Sequence, residues 1–164
     1  MMTATSSTVD GLAEAVRAAV ATITDPEYPD ISIADLGLVE SIAVETTAAG
    51  GSEATIGLIP TFSGCPALAM IAGDVQAAVE SLSTIDVCAV RWLPTPVWST
   101  DRVTLAARNK LSNDYTVTLR RKDGTLRCPS CGADSVRDQS AAGPTRCRSV
   151  AWCDQCRNVV EVMR

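Results

Sequence analysis

There is no histidine among the 164 residues. That excludes Ser-His and Cys-His catalysis and every histidine-ligated metal site, leaving Cys, Asp and Glu as metal ligands and acid–base groups. No apolar run approaches the length that a membrane span needs. Residues 1–9 lack the charged-then-apolar order of a signal peptide. A cytoplasmic protein is therefore expected, and in that compartment its seven cysteines are a poor disulfide framework. A strong basic charge is missing as well. Residues 1–111 carry 5 Lys+Arg against 13 Asp+Glu, net −8, and residues 112–164 carry 9 against 6, net +3. The acidic part argues against nucleic acid as a partner, and the weakly basic tail reads as a solvated surface. The length admits one full core and a small appendage, not two large domains.

What is there divides into four stretches. Residues 1–9 form a polar Ser/Thr tail, expected to be disordered. From Asp10 to about Ile23, Leu12, Val16, Ala19, Val20 and Ile23 share one helical face. That helix must end before Asp25-Pro26, because a residue preceding proline is pushed out of helical conformation. Asp25-Pro-Glu-Tyr-Pro-Asp30 reads as a rigid acidic loop. Its carboxylates are either solvated or, for Asp25 and Glu27, placed beside a metal or partner site. Leu38 to Thr46 and Glu53 to Pro60 alternate as two strands around a flexible loop. A helix carries Leu68, Ile71, Val75, Val79 and Leu82, and a third strand from Ile85 to Leu93 buries Cys88 as packing. Ser99-Thr100-Asp101 is expected to cap a last helix that turns Val103, Ala106, Ala107 and Leu111 inward. The fold class is α+β: a small helix-backed sheet in the order α-β-β-α-β-α over residues 10–111.

The strand-to-helix turn holds Thr61-Phe62-Ser63-Gly64-Cys65-Pro66. Proline suits a first helical turn, which places Cys65 at or beside the helix cap, where free N–H groups and the helix dipole favour thiolate. Gly64 lets the backbone turn sharply just before it. Such a cysteine is a nucleophile, a metal ligand or a small packing residue. With no histidine to serve as base, a thiol-dependent enzyme is the least supported class.

Residues 112–127 read as a linking hairpin, and residues 128–164 have too few large apolar side chains to hold themselves together. They carry instead Cys128-x-x-Cys131 and Cys153-x-x-Cys156, two knuckles that together make a tetrahedral four-sulfur site. Structural zinc is the expected occupant; four-sulfur iron uses the same ligands, and two labile disulfides are the third alternative. All four positions being filled by protein, the site stabilises and does not catalyse. Cys147, roughly 20 Å from Cys153 along an extended strand, is read as packing.

Asp25-Pro-Glu27, Ile33-Ala-Asp-Leu-Gly-Leu-Val39, Pro60-Thr-Phe-Ser-Gly-Cys-Pro66, Trp98-Ser-Thr-Asp101 and Ala107-Arg-Asn-Lys-Leu111 resemble the MIP18 (DUF59) family, associated with iron–sulfur cluster assembly. The ribbon, with Gly143-Pro-Thr-Arg-Cys147 ahead of Trp152-Cys153-Asp-Gln-Cys156, resembles the PaaD-type chains encoded with phenylacetyl-CoA epoxidase. The resemblance implies an accessory protein, not an enzyme, that matures a di-iron oxygenase or its iron–sulfur reductase. It implies Cys65 as the thiol that handles iron or a transient iron–sulfur cluster, with Thr61, Ser63, Asp25 and Glu27 shaping its surroundings. A cluster usually needs four ligands, so a second copy of the chain or a client protein would supply the rest. A purely structural oxygenase subunit, with Cys65 as packing, is the competing class.

Overall fold

The computed structural model describes residues 4–163, with residues 4–8 described by their backbone alone. Helix α1 spans Ala4–Ala21. It begins six residues before the expected Asp10 because nothing between Ala4 and Asp10 is a helix breaker. Of the expected disordered tail, residues 1–3 lie outside the described residues. Val16 and Val20 are fully buried on the inner face of α1. The helix closes on tight turns, Thr22 and Ile23 donating to the carbonyls of Ala19 and Val20 at 3.1 Å each.

The acidic stretch is a two-stranded hairpin rather than a loop. Strands β1 (Thr24–Asp25) and β2 (Tyr28–Ser32) pair antiparallel. Asp25 Oδ1 accepts the Glu27 N–H at 2.8 Å, so the carboxylate holds its own turn. Tyr28 and Ile31 are the buried anchors. Gly37 follows at φ 73°, a left-handed position that suits glycine. Around it Ile33, Leu36 and Leu38 are all buried, which explains the spacing of apolar residues in that motif.

Strands β3 (Val39–Thr46), β4 (Ser52–Leu58) and β5 (Val87–Trp92) form one sheet in that order. β3 and β4 are antiparallel; β4 and β5 are parallel, joined through helix α2 (Leu68–Glu80). One face of β4, Ala54, Ile56 and Leu58, is buried, as are Ile71, Val75 and Val79 of α2. Each such aliphatic side chain contributes about 1.5–3 kcal/mol when fully withdrawn from water.

Beyond Val97 the expected α3 begins later than its Ser99-Thr100-Asp101 signal. Thr100–Arg102 is a single 3₁₀ turn, and α3 proper spans Leu105–Asp114. Thr104 is its cap, the hydroxyl oxygen accepting the Ala107 N–H at 3.3 Å. Val103, Ala107 and Leu111 are buried as expected, but Ala106 is exposed. Within the stretch expected as a linking hairpin, 112–127, the chain turns at Arg121–Thr125, where the Arg121 N–H donates to the Thr125 carbonyl at 2.9 Å. Strand β6 (Val117–Leu119) pairs in parallel with β9 (Val159–Met163) and forms one edge of a four-stranded sheet. The sheet order is β6-β9-β8-β7, with β7 at Val136–Ser140 and β8 at Arg148–Cys153.

The described chain divides into two compact units. One holds the chain up to Pro60 together with Pro66–Val97; the other holds Thr61–Cys65 and the chain from Trp98 on. By contacts α3 goes with the second unit, where it packs on β6. Among the described residues no helix is long and apolar enough to cross a membrane.

Candidate metal centre and the Cys65 turn

Both knuckles use the same backbone device. In the first, Gly132 donates to the Cys128 carbonyl at 2.8 Å and stands at φ 75°. In the second, Arg157 donates to the Cys153 carbonyl at 2.9 Å and stands at φ 58°, a conformation most residues avoid. The fourth residue after each leading cysteine is therefore left-handed, which curls each Cys-x-x-Cys back on itself. The curl brings all four sulfurs within 4.8 Å of one another. Cys128 Sγ lies 3.6 Å from Cys156 Sγ, and Cys131 Sγ lies 3.6 Å from Cys153 Sγ. Tetrahedral Zn–S bonds of about 2.3 Å would separate sulfurs by about 3.8 Å, so the four side chains fit zinc as they stand.

Electrostatics agree with a cation site. The Cys156 N–H donated to Cys153 draws that thiol down to about 7, with help from neighbouring thiols. Burial, and then the thiols of Cys128, Cys153 and Cys131, push the Cys156 thiol up to about 12. Four thiols this close cannot all ionise without a positive charge among them, and a dication supplies it. Leu126, Ala151, Val160 and Val162 pack around the buried Cys128 and Cys153. Cys147 stands apart from the four: it is buried, and its Sγ lies 3.2 Å from Thr145 Oγ1. A cleft of about 400 Å³ on the same ribbon is lined by Arg120, Asp138, Ser149 and Met163. Its charges are already matched, Arg120 meeting Asp138 at 2.6 Å.

Cys65 closes a separate feature. Its N–H donates to the Phe62 carbonyl at 3.1 Å, making a turn with Ser63 and Gly64 at its centre. The thiol is half-buried and forms no disulfide. It does not cap α2, whose N-cap is Ala67, two residues further on and without a side-chain cap. Pro66 also precedes the helix rather than opening its first turn. Gly64 has no positive φ. Its lack of a side chain instead makes room for Phe62, since a Cβ there would lie 2.8 Å from Cε1 of that ring.

Of the residues singled out in the sequence, Ser63 and Cys65 lie in this turn and Thr61 immediately precedes it, while Asp25 and Glu27 lie on the hairpin of the other compact unit. Among the described residues, the only group of three or more Cys, Asp or Glu spaced to share a metal ion is the ribbon quartet. Phe62 is the residue that reading the sequence passed over. Being the single phenylalanine of the chain, inside the turn motif, was the signal available for it.

Comparison with known proteins matches the two halves separately. Residues 13–92 fit the family model of an iron–sulfur cluster assembly protein, and residues 112–164 fit that of the PaaD zinc beta ribbon domain. A putative 1,2-phenylacetyl-CoA epoxidase subunit of Escherichia coli K12 is 32% identical over 149 residues, covering 87% of this chain and 86% of that protein. A crystal structure of a DUF59 domain from Bacillus anthracis superposes with a TM-score of 0.58 at 23% identity, over 65% of this chain and 96% of that one. It shares the fold. Similarity that runs along most of both chains, through the assembly-type domain and the ribbon alike, makes this protein a member of the PaaD family.

Proposed function

We propose that the chain is an accessory protein of a multicomponent di-iron oxygenase of the phenylacetyl-CoA epoxidase type. In this reading it handles iron or an iron–sulfur cluster as cargo for the oxygenase or its reductase, working in the cytoplasm. Cys65 is the residue that binds and releases the cargo. The observation that carries the reading is the pairing, in one chain, of an iron–sulfur-assembly-type domain with a PaaD ribbon. The half-exposed Cys65 stands outside the one ligand cluster found among the described residues. A single thiolate cannot hold a cluster, so the remaining ligands come from the client or from a second copy of the chain. Ser63 offers a hydroxyl on the same turn and Thr61 one just before it. Asp25 and Glu27 offer carboxylates, although Asp25 is already engaged by its own hairpin.

In the ribbon, Cys128, Cys131, Cys153 and Cys156 would hold structural zinc. Bound zinc cross-links the two knuckles and, with four protein ligands, leaves no open position for catalysis. The role is accessory rather than catalytic, and the place of the Escherichia coli relative as one component of an epoxidase supports it.

The test is anaerobic purification of the protein and its Cys65→Ser variant, with iron, sulfide and zinc analysis and visible absorption. It is joined to rescue of oxygenase activity in cells lacking the protein. The reading expects both proteins to keep zinc, only the wild type to take up iron, and only the wild type to rescue. Full rescue by Cys65→Ser would instead make the chain a structural subunit with Cys65 as packing.

A further inference from the structure

We propose that Phe62 is the positioning residue for Cys65. Its ring, seated over the backbone of Gly64, keeps the Phe62–Cys65 turn closed and so sets the exposure and mobility of the thiol. A Cβ added to Gly64 would lie 2.8 Å from Cε1, 3.1 Å from Cζ and 3.7 Å from Cδ1 of the ring, which places the aromatic edge directly against the glycine. Because Gly64 has no positive φ, backbone conformation alone does not demand glycine here. The ring does.

The turn needs such a support. Its closing bond, Cys65 N–H to Phe62 carbonyl at 3.1 Å, lies on a half-exposed segment where water competes for both groups. Ser63, at the centre of the turn, is exposed. The ring–backbone contact withdraws apolar surface from water and favours the closed turn over its open alternatives. On the other side of Cys65, Pro66 fixes its own φ and confines Cys65 to extended conformations. The cysteine is thus held between an aromatic-closed turn and a proline. A thiol that must meet ligands supplied by another protein gains from that restriction, because only correctly placed conformers are competent.

This inference rests on the proposed role of Cys65 only for its biological meaning; its geometry is independent of that role. The experiment uses the full-length, zinc-loaded protein, with the rate of iodoacetamide labelling at Cys65 followed by peptide mass spectrometry. Phe62→Ala and Gly64→Ala should each raise the Cys65 rate several-fold, with zinc content and the thermal midpoint little changed. The double variant should match either single one, since both remove the same contact. Phe62→Tyr should keep the wild-type rate, and Phe62→Leu, a milder change, should fall between. Wild-type rates in Phe62→Ala and Gly64→Ala, or effects that simply add in the double variant, would overturn the proposal. The two readings fail separately. Full rescue by Cys65→Ser sinks the functional role and leaves the labelling result standing. Loss of rescue by Cys65→Ser, with unchanged labelling in the Phe62 and Gly64 variants, sinks the positioning role alone.

Discussion

The main-chain N–H of Asp154 donates to the carbonyl oxygen of Ser135 at 2.9 Å, tying the second cysteine knuckle to the chain just beyond the first. Arg137 Nε adds a bond to Asp154 Oδ1 at 3.0 Å. The Arg137–Asp154 pair sits on exposed side chains and is weak by itself, and a single main-chain bond adds little more. They align the knuckles; zinc must close them.

Replacing any one of Cys128, Cys131, Cys153 or Cys156 by serine should therefore release zinc and unfold the ribbon, because binding and folding are coupled in small metal domains. Cys147→Ser, outside the quartet, should keep the metal. Zinc analysis together with circular dichroism checks both. Loss of zinc from Cys147→Ser as complete as from the other four would refute the ligand assignment.

Arg157 is exposed and stands at φ 58°, so its side chain contributes little while its backbone is strained. The equivalent position in the first knuckle is Gly132 at φ 75°. Arg157→Gly should stabilise the zinc-loaded ribbon by up to about 1 kcal/mol. The greater freedom of glycine in the unfolded chain offsets part of that gain. A raised thermal midpoint is the expected result, and a lowered one would mean that the Arg157 side chain matters after all.

The division of the chain before α3 gives a third expectation. Ala107 and Leu111 are buried, and α3 packs on β6. A fragment ending at Leu111 keeps most of that helix but lacks β6, so the covered face of α3 is laid bare. A fragment ending at Val97 omits the helix entirely. The shorter fragment should be the more soluble of the two and melt more cooperatively. Sedimentation and thermal melting decide it; a better-behaved longer fragment would return the boundary to Leu111.

What could be read in the sequence follows the range of the interactions. The ribbon quartet was legible because a Cys-x-x-Cys knuckle is a local device whose spacing directly reflects its geometry. β4, the turn after it and α2 were legible because Ala54, Ile56 and Leu58 keep period two while Ile71, Val75 and Val79 keep helical spacing. The Asp25–Ser32 hairpin was hidden by Pro26 and Pro29, which are compatible with a short hairpin but signal a loop. The pairing of β6 was not legible because its partner, β9, lies some forty residues away and nothing in Val117–Leu119 names it. The capping role of Cys65 failed by two residues, a shift that no propensity resolves.

Cys65 and Cys88 offer the last contrast. Cys88 is buried in β5, with its N–H bonded to Glu80 Oε1 at 3.2 Å. Burial, and then the Glu80 carboxylate, raise its thiol above the ordinary range, which lowers the thiolate fraction near neutrality. Cys65 is half-exposed on a surface turn. Since the thiolate is the reacting species, zinc-loaded protein at pH 7 to 8 should be alkylated by iodoacetamide at Cys65 well before Cys88. Labelling at Cys88 should stay slow and keep rising with pH past the point where a free thiol, of pKa about 8.5, levels off, because its own pKa is raised. Peptide mapping over a pH series measures both rates. Cys88 labelled as fast as Cys65 at neutral pH would show that β5 opens readily, and that exposure does not single out Cys65.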